Sequence, residues 1–495
     1  MKNFTETIHA DLIIPPKPGF DTILVTGATG YIGGRLIPEL KNLGYKLRVL
    51  VRVPSTEYKV RWPDVEVVFG DAQDYEILEK ALEGVHTTFY LIHSLNLGHK
   101  KFESVDLIVA ENFRKAAEKQ NIKRIIYLCG LGDEKSKLSP HLRNRIKVAE
   151  YLSAGEVSVT TLRAGMIIGS GSASYEILKD LVCNSPLFFV PKWAKTKSQP
   201  VAIRNVLKFL IGVMEKTETA GKVFDIGGKD ILTYDEMLRT FAALLGKKKI
   251  FLPGLITYTP LYGVIAGWLT SLPGPLTKVL VEGCKNEVVC KNDDLQNFLE
   301  FEPLTFKEAV ELALDNEEKD KISTRWSDAY PPKHDLAIKL HELNYSPKYT
   351  RSYLILTHKG CEVIFNSFCK VGGKNGWFHN NWMWRLRGVL DKLLMGVGTA
   401  RGRRSFSTLR VNDVIDFWRV ENIRQNKSLL LRAEMKLPGL AWLEFNIDDG
   451  DGINKFSVNA YFEPKGIKGT IYWYNFLPFH NAIFTNLLKQ IERRS

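Results

Sequence analysis

Between residues 22 and 163 the chain alternates short apolar runs with amphipathic stretches. The runs 22–26, 46–52, 65–71, 87–93, 124–129 and 158–163 are dense in Val, Ile and Leu and are bounded by polar or turn residues. Continuous apolar runs of this length mark strands covered on both faces. Helical periodicity separates them, as over 76–82 and 106–120. Strand and helix in strict alternation predict right-handed βαβ units, and therefore an α/β, doubly wound parallel sheet.

The pattern then changes twice. Residues 170–320 are mixed, with short strand-like runs at 199–204 and 222–227, and are read as a small substrate subdomain that completes a first domain over 21–322. An apolar stretch at 250–277 is broken by Pro253, Gly254, Pro260, Gly263, Gly267, Pro273, Gly274 and Pro275. It reads as a helix pair or a pocket lining rather than a membrane-inserted segment, which needs about 20 mostly apolar residues. The double proline Pro331-Pro332 punctuates a linker assigned to 323–350. Beyond it, alternating runs at 362–368, 413–420, 429–434, 441–447 and 455–462 precede a helical pattern at 479–493. That order predicts an α+β helix-grip cup over 351–495.

Composition narrows the picture. The chain has 495 residues, 45% of them apolar and 25% charged, and a net charge of +13. This is globular and too long for one domain. Residues 331–495 hold 25 Lys and Arg against 14 Asp and Glu, so the basicity belongs to the C-terminal domain. Cys129, Cys183, Cys284, Cys290, Cys361 and Cys369 form no CxxC or Cys/His cluster, and His379 and His480 stand alone. Structural zinc and a disulfide framework are therefore not expected, and reduced thiols suit a cytoplasmic protein. Residues 1–20 form a polar lead-in without the apolar core of a signal peptide.

The chemistry concentrates in Gly27-Ala-Thr29-Gly30-Tyr31-Ile32-Gly33, which follows a strand and opens a helix. Glycine lets the backbone turn tightly and approach a diphosphate, and the N–H groups of the helix start favour its charge. These residues are the expected dinucleotide cradle of a Rossmann domain. Arg52 ends the second strand where an NAD site usually places an acid, so it suits the 2′-phosphate of NADP, with NAD the alternative. Asp71 is the expected acceptor for the adenine amino group, with Ala72 beside it. His93 and Ser94 close the fourth strand at the mouth of the sheet.

The stretch Val25-Thr-Gly-Ala-Thr-Gly-Tyr-Ile-Gly33, with Gly70-Asp71 and Leu162-Arg-Ala-Gly165, closely resembles the atypical, extended-type short-chain dehydrogenase/reductases, including the NmrA-like NAD(P)-binding proteins. The resemblance covers about residues 20–320 and implies a Rossmann fold, bound NAD(P), often an oxidoreductase activity and commonly a homodimer. Residues 360–490 resemble a C-terminal domain of unknown function, START-like, attached to such reductases. The stretches that carry this are Gly376-Trp-Phe, Trp382-Met-Trp-Arg-Leu-Arg-Gly388, Arg401-Gly-Arg-Arg404, Asp416-Phe-Trp-Arg419 and Tyr472-Trp-Tyr.

Active members carry YxxxK, whose Tyr transfers the proton; no Tyr lies between Tyr127 and Tyr151. The best overlay places His141 at the Tyr and Arg145 at the Lys, four apart and on one helix face. His141 is the candidate acid/base and Arg145 the candidate ribose or phosphate holder. Lys147 is a basic alternative and Cys129 a weaker nucleophile candidate. In the C-terminal domain Trp377, Trp382, Trp384, Trp418, Trp442 and Trp473 interleave with Arg385, Arg387, Arg401, Arg403, Arg404 and Arg419. This suits an apolar cup with a basic rim, or a Trp core with surface arginines. Nucleic acid is the least favoured partner.

The expected function is an NADP(H)-dependent reductase of a hydrophobic carbonyl-type or alkene substrate. The alternatives are a non-catalytic NADP-binding sensor and a lipid-binding protein in peripheral contact with a membrane. No metal is expected.

Overall fold

The computed structural model describes residues 22–55, 57–93, 102–132, 138–255, 258–291, 294–329, 338–378, 381–394, 396–399, 401–450 and 452–495. The chain forms two compact units that divide after Ala329, apart from a four-residue stretch at 271–274 that groups with the second.

The first unit is built on a seven-stranded parallel sheet. Its strands are β1 (Thr22–Val25), β2 (Leu47–Val51), β3 (Glu66–Phe69), β4 (Val85–Tyr90), β5 (Arg124–Gly130), β6 (Ser158–Ala164) and β7 (Val223–Ile226). Their order is β7-β6-β5-β4-β1-β2-β3, so β1 pairs with both β2 and β4. The order reverses there, which opens a crevice at the carboxyl ends of the strands. Ile23, Val25 and Val49 face one buried layer, while Leu24, Tyr90 and Ile125 face the other. Burial on both faces explains why the strands read as unbroken apolar runs.

Helix α1 (Gly33–Asn42) follows β1, α2 (Phe102–Lys119) follows β4, and α3 (Pro140–Ser153) follows β5. Pro140 starts α3 behind the N-cap Ser139, whose hydroxyl accepts from Leu142 N at 3.4 Å. Residues 250–277 supply a short strand and helix α4 (Thr259–Leu269). Among the described residues, no helix is long and apolar enough to cross a membrane.

The start of the expected linker belongs to this first unit. Thr324 is fully buried; its hydroxyl donates to Tyr31 O at 2.8 Å and accepts from Arg35 Nε at 3.0 Å. The last residues of the unit therefore brace the glycine loop. The prolines at 331 and 332, like the lead-in 1–20 and Ser94, lie outside the described residues.

The second unit is a six-stranded antiparallel sheet carrying a long terminal helix. Its strands are β8 (Tyr349–Thr357), β9 (Val414–Ile415), β10 (Trp418–Arg424), β11 (Ser428–Ala433), β12 (Gly439–Asp448) and β13 (Asn454–Pro464). They order as β8-β13-β12-β11-β10-β9. Residues 362–368, read as a strand, fold instead as helix α5 (Cys361–Phe368), which buries Ile364, Phe365 and Phe368. That i, i+1, i+4 spacing is helical, and a run this short suits either element. Helix α6 (Asn381–Leu393) follows, and the terminal helix α7 (Gly466–Arg494) runs 29 residues, starting well before residue 479.

The arginines expected on a rim are inside. Arg401, Arg403, Arg404 and Arg419 are all buried. Arg404 forms a two-point pair with Asp413, Nε to Oδ1 at 2.8 Å and Nη2 to Oδ2 at 2.9 Å. Arg403 donates to the carbonyls of Cys369 and Val371 at 2.6 and 2.8 Å. Arg401 meets Glu434 at 2.6 Å, and Arg419 donates to the same carboxylate. Asp416 accepts from Trp377 Nε1 at 2.9 Å, and its carbonyl accepts from Arg401 Nε at 2.9 Å. Three of the stretches that carry the C-terminal resemblance, around Trp377, Arg401 and Asp416–Arg419, thus meet in a buried polar network with Glu434. These four arginines present no basic surface to anionic lipid or nucleic acid.

Candidate functional site

The glycine loop lies where the strand order reverses. Gly27 has φ +63°, and a Cβ there would sit 2.4 Å from Leu91 O. A Cβ on Gly33 would sit 2.4 Å from Gly27 O. Only glycine permits this left-handed turn pressed against the end of β4. The Thr26 hydroxyl donates to Phe89 O at 3.0 Å and accepts from Leu91 N at 3.2 Å, fixing the loop's first residue. Ile32 precedes α1 without a side-chain cap; Gly34 N and Arg35 N donate to Gly30 O and Ile32 O at 3.0 Å, so what the helix start offers an anion is its positive dipole end rather than these two N–H groups. Ala28 is buried under the loop, while Thr29, Gly30, Tyr31 and Ile32 are partly exposed.

At the edge of this cradle, Arg52 Nε lies 3.7 Å from Asp71 Oδ2, with both side chains about half exposed. Asp71 Oδ1 accepts from Gln73 N at 2.9 Å, which shapes the turn holding the half-buried Ala72. The residues expected at the adenosine end of a dinucleotide therefore converge. A tight glycine turn, the positive end of a helix, a cation and an acceptor fit a nicotinamide dinucleotide carrying an extra phosphate.

On the other side of the switch point the rings of His93 and His141 stack, with centroids 5.0 Å apart. His93 Nδ1 lies 3.8 Å from Asp106 Oδ2 on α2, and the same oxygen accepts from Asn144 Nδ2 at 2.9 Å. Burial, then His93, then the Arg145 guanidinium lower the pKa of His141 well below the usual histidine range. Burial and Arg145 also lower His93, against the pull of Asp106. Both imidazoles are neutral at pH 7. His141 Nδ1 is buried and has no hydrogen-bond partner among the described residues.

His141 and Arg145 do share a face of α3, as their spacing predicts, but Arg145 has a different task from the expected one. It is buried, donating from Nη1 to Ile92 O at 3.2 Å and from Nη2 to Leu128 O at 2.9 Å. Its guanidinium also lies 5.1 Å from the Tyr127 ring centroid. Arg145 thus clamps α3 to the ends of β4 and β5 and sets the two histidines. Lys147 pairs with Glu103 at 3.4 Å, and burial raises the pKa of the Cys129 thiol, so neither is poised for chemistry.

His141 lines a largely apolar cavity of about 340 Å³, as do the polar Ser198 and Tyr234. Gly130, Leu131 and Met166 line it at the strand ends; Leu178, Phe188, Trp193, Tyr262 and Ile265 line it farther out. Residues 262–269, from the proline-broken apolar stretch, supply one wall. Asp106 and Asn144 escaped the sequence reading. Their sole signal is a polar residue on an inward helix face. Among the described residues no group of three or more His, Cys, Asp or Glu is placed to hold a metal.

Residues 20–259 match the model of the NmrA-like family, and residues 349–487 match that of a protein of unknown function (DUF2867). Curated relatives of low identity agree with the first match. The photosystem II assembly factor Ycf39 of Guillardia theta is 21% identical over 57% of this chain and 90% of its own length. A ceramide reductase of Caulobacter vibrioides is 24% identical over 48% of this chain and 75% of its own. The chloroplastic divinyl chlorophyllide a 8-vinyl-reductase of Arabidopsis thaliana is 24% identical over 46% of this chain and 59% of its own. The first half of the chain is therefore similar to the NmrA-like family, and residues 349–487 are similar to the DUF2867 family.

Proposed function

We propose that the first unit is an NADP(H)-dependent oxidoreductase reducing a hydrophobic carbonyl-type or alkene substrate. The observation that carries this reading is the apolar cavity at the carboxyl ends of β5 and β6, lined by His141, whose buried Nδ1 makes no hydrogen bond among the described residues. A bound nicotinamide supplies hydride. The glycine loop and the start of α1 hold the diphosphate, Arg52 takes the 2′-phosphate and Asp71 the adenine amino group. Apolar walls exclude water and select a greasy substrate. His141, kept neutral, hydrogen-bonds the reacting oxygen as negative charge develops on it. The stacked His93, backed by Asp106, fixes its ring. The final proton comes from solvent. The reductase names of two relatives support this reading.

Replacing His141 with Phe is expected to leave NADPH affinity intact and lower turnover on a carbonyl panel about 100- to 1,000-fold. Stopped-flow NADPH oxidation measures this. The pH profile separates two roles. A neutral donor keeps turnover level from pH 6.5 upward, because the N–H is present throughout. An imidazolium acid would instead leave turnover low at neutral pH and raise it only in acid, as pH falls to the lowered pKa of His141.

Replacing Arg52 with Asp is expected to weaken NADPH about 10- to 100-fold, the value of a charge-assisted phosphate contact, and to leave NADH unweakened. Calorimetric titration with both cofactors checks it. The second reading, a non-catalytic NADP-binding sensor, is favoured by the missing YxxxK and by the assembly-factor relative. Tight NADPH binding without turnover across carbonyl and alkene panels would select it.

A further inference from the structure

The second unit encloses its own cavity of about 220 Å³, between α6, α7 and the inner faces of β12 and β13. Trp442, Leu443, Phe462, Trp473 and Phe484 wall it. Among the described residues, three buried polar atoms on its lining make no hydrogen bond: Arg387 Nε, Trp418 Nε1 and His480 Nδ1. A buried donor left unmade costs about 1–3 kcal/mol; Arg387 Nε and Trp418 Nε1 are two such donors on the lining, which points to a missing acceptor, while the neutral His480 Nδ1 donates or accepts according to its tautomer.

Among the described lining residues none is acidic, and Arg387 bears the one full charge. Its Nη2 reaches Lys436 O at 2.9 Å, and its guanidinium also lies within hydrogen-bonding reach of the Tyr472 hydroxyl on the same lining, which leaves Nε for a ligand. Asp391, one turn on, gives its oxygens to Lys436 N at 2.6 Å and Gly398 N at 2.8 Å instead. Burial lowers His480 to about 4, so it adds hydrogen-bonding capacity and no charge at pH 7. The mouth is greasy: Trp382, Leu386 and Phe479 line the cavity and remain 64%, 51% and 48% exposed.

We propose that this cup binds one fatty-acid-class molecule, an apolar chain ending in an oxygen that takes hydrogen bonds from Arg387 and Trp418. An apolar cavity of about 150 Å³ accepts benzene, so this larger one seats a chain on the order of ten carbons. The exposed apolar mouth shields whatever part of the chain extends beyond it. The inference stands apart from the chemistry of the first unit.

Calorimetric titration of the full-length protein with decanoate and with decylammonium tests it. The two share a chain, but the second head group only donates. Decanoate is expected to bind one to one, and decylammonium at least tenfold more weakly. Trp418→Phe, which keeps the ring and drops the donor, should weaken decanoate about tenfold. Ala460→Trp and Ala441→Phe, which fill the cavity from β13 and β12, should abolish binding while a cooperative melt and NADPH binding persist. Leu178→Trp, filling the cavity of the first unit, should leave decanoate binding unchanged. Equal binding of both head groups, no binding of decanoate, or loss in Leu178→Trp with retention in the two filled variants would overturn the proposal.

Discussion

Replacing Glu434 with Ala is expected to cost the second unit about 3–5 kcal/mol, enough to lower its melting temperature by about 10 °C. The Glu434 side chain is 1% exposed and faces Arg401 and Arg419, themselves 1% and 4% exposed. Deleting the carboxylate strands two buried guanidinium groups. Glu434→Gln keeps an acceptor and should cost less. Replacing Arg401, Glu434 and Arg419 together with Met, Leu and Met should recover much of the loss, because the expensive element is an unpaired charge rather than the missing pair. Six of the ten Trp lie in this unit, so Trp emission during urea unfolding follows it.

The same carboxylate sets an acid limit. Its environment lowers Glu434 from the usual 4.5 to about 2, burial opposing and the arginines overcoming it. A depressed carboxylate pKa contributes stability above pH 4.5, and that contribution disappears as pH falls from 4.5 towards 2. Wild type should therefore lose about 3 kcal/mol across that window beyond whatever Glu434→Gln loses. Parallel slopes for the two proteins would show that Glu434 is not held ionised by the arginines.

How much of this could be read from the chain depends on whether burial leaves a local mark. The strands of the first sheet are legible because most are covered on both faces and dense in apolar residues. Strand β8 was missed because it is an edge strand whose Arg351, Ser352, Leu354 and Leu356 face solvent, leaving no clean alternation. The glycine loop was legible because its geometry is local to seven residues. The His93–Asp106–Asn144 contact was not, since it joins the end of β4, α2 and α3 through space. Arginine misled most. Interleaved Arg and Trp look like a rim until Asp413, Asp416 and Glu434 are seen to satisfy them inside. Arg145 teaches the same point: spacing gave its helix face correctly, but not the carbonyls it clamps.

Gly27→Ala should lower NADPH affinity at least about 100-fold. Two costs add. A non-glycine residue in the left-handed region costs about 1–3 kcal/mol, and Gly27 has φ +63°. The new methyl would also lie 2.4 Å from Leu91 O and 2.7 Å from Leu91 C, both backbone atoms that cannot rotate away. The loop must shift, and a displacement near 1 Å misplaces every N–H meant for the diphosphate. The end of β4 would move with it, carrying His93 away from His141, so turnover should fall further than affinity explains. The second unit offers the internal control, because its Trp emission and melt should match wild type. Unchanged NADPH affinity in a folded Gly27→Ala protein would mean that the dinucleotide does not lie on this loop. The proposal that Arg52 and Asp71 hold its adenosine end would then fail with it.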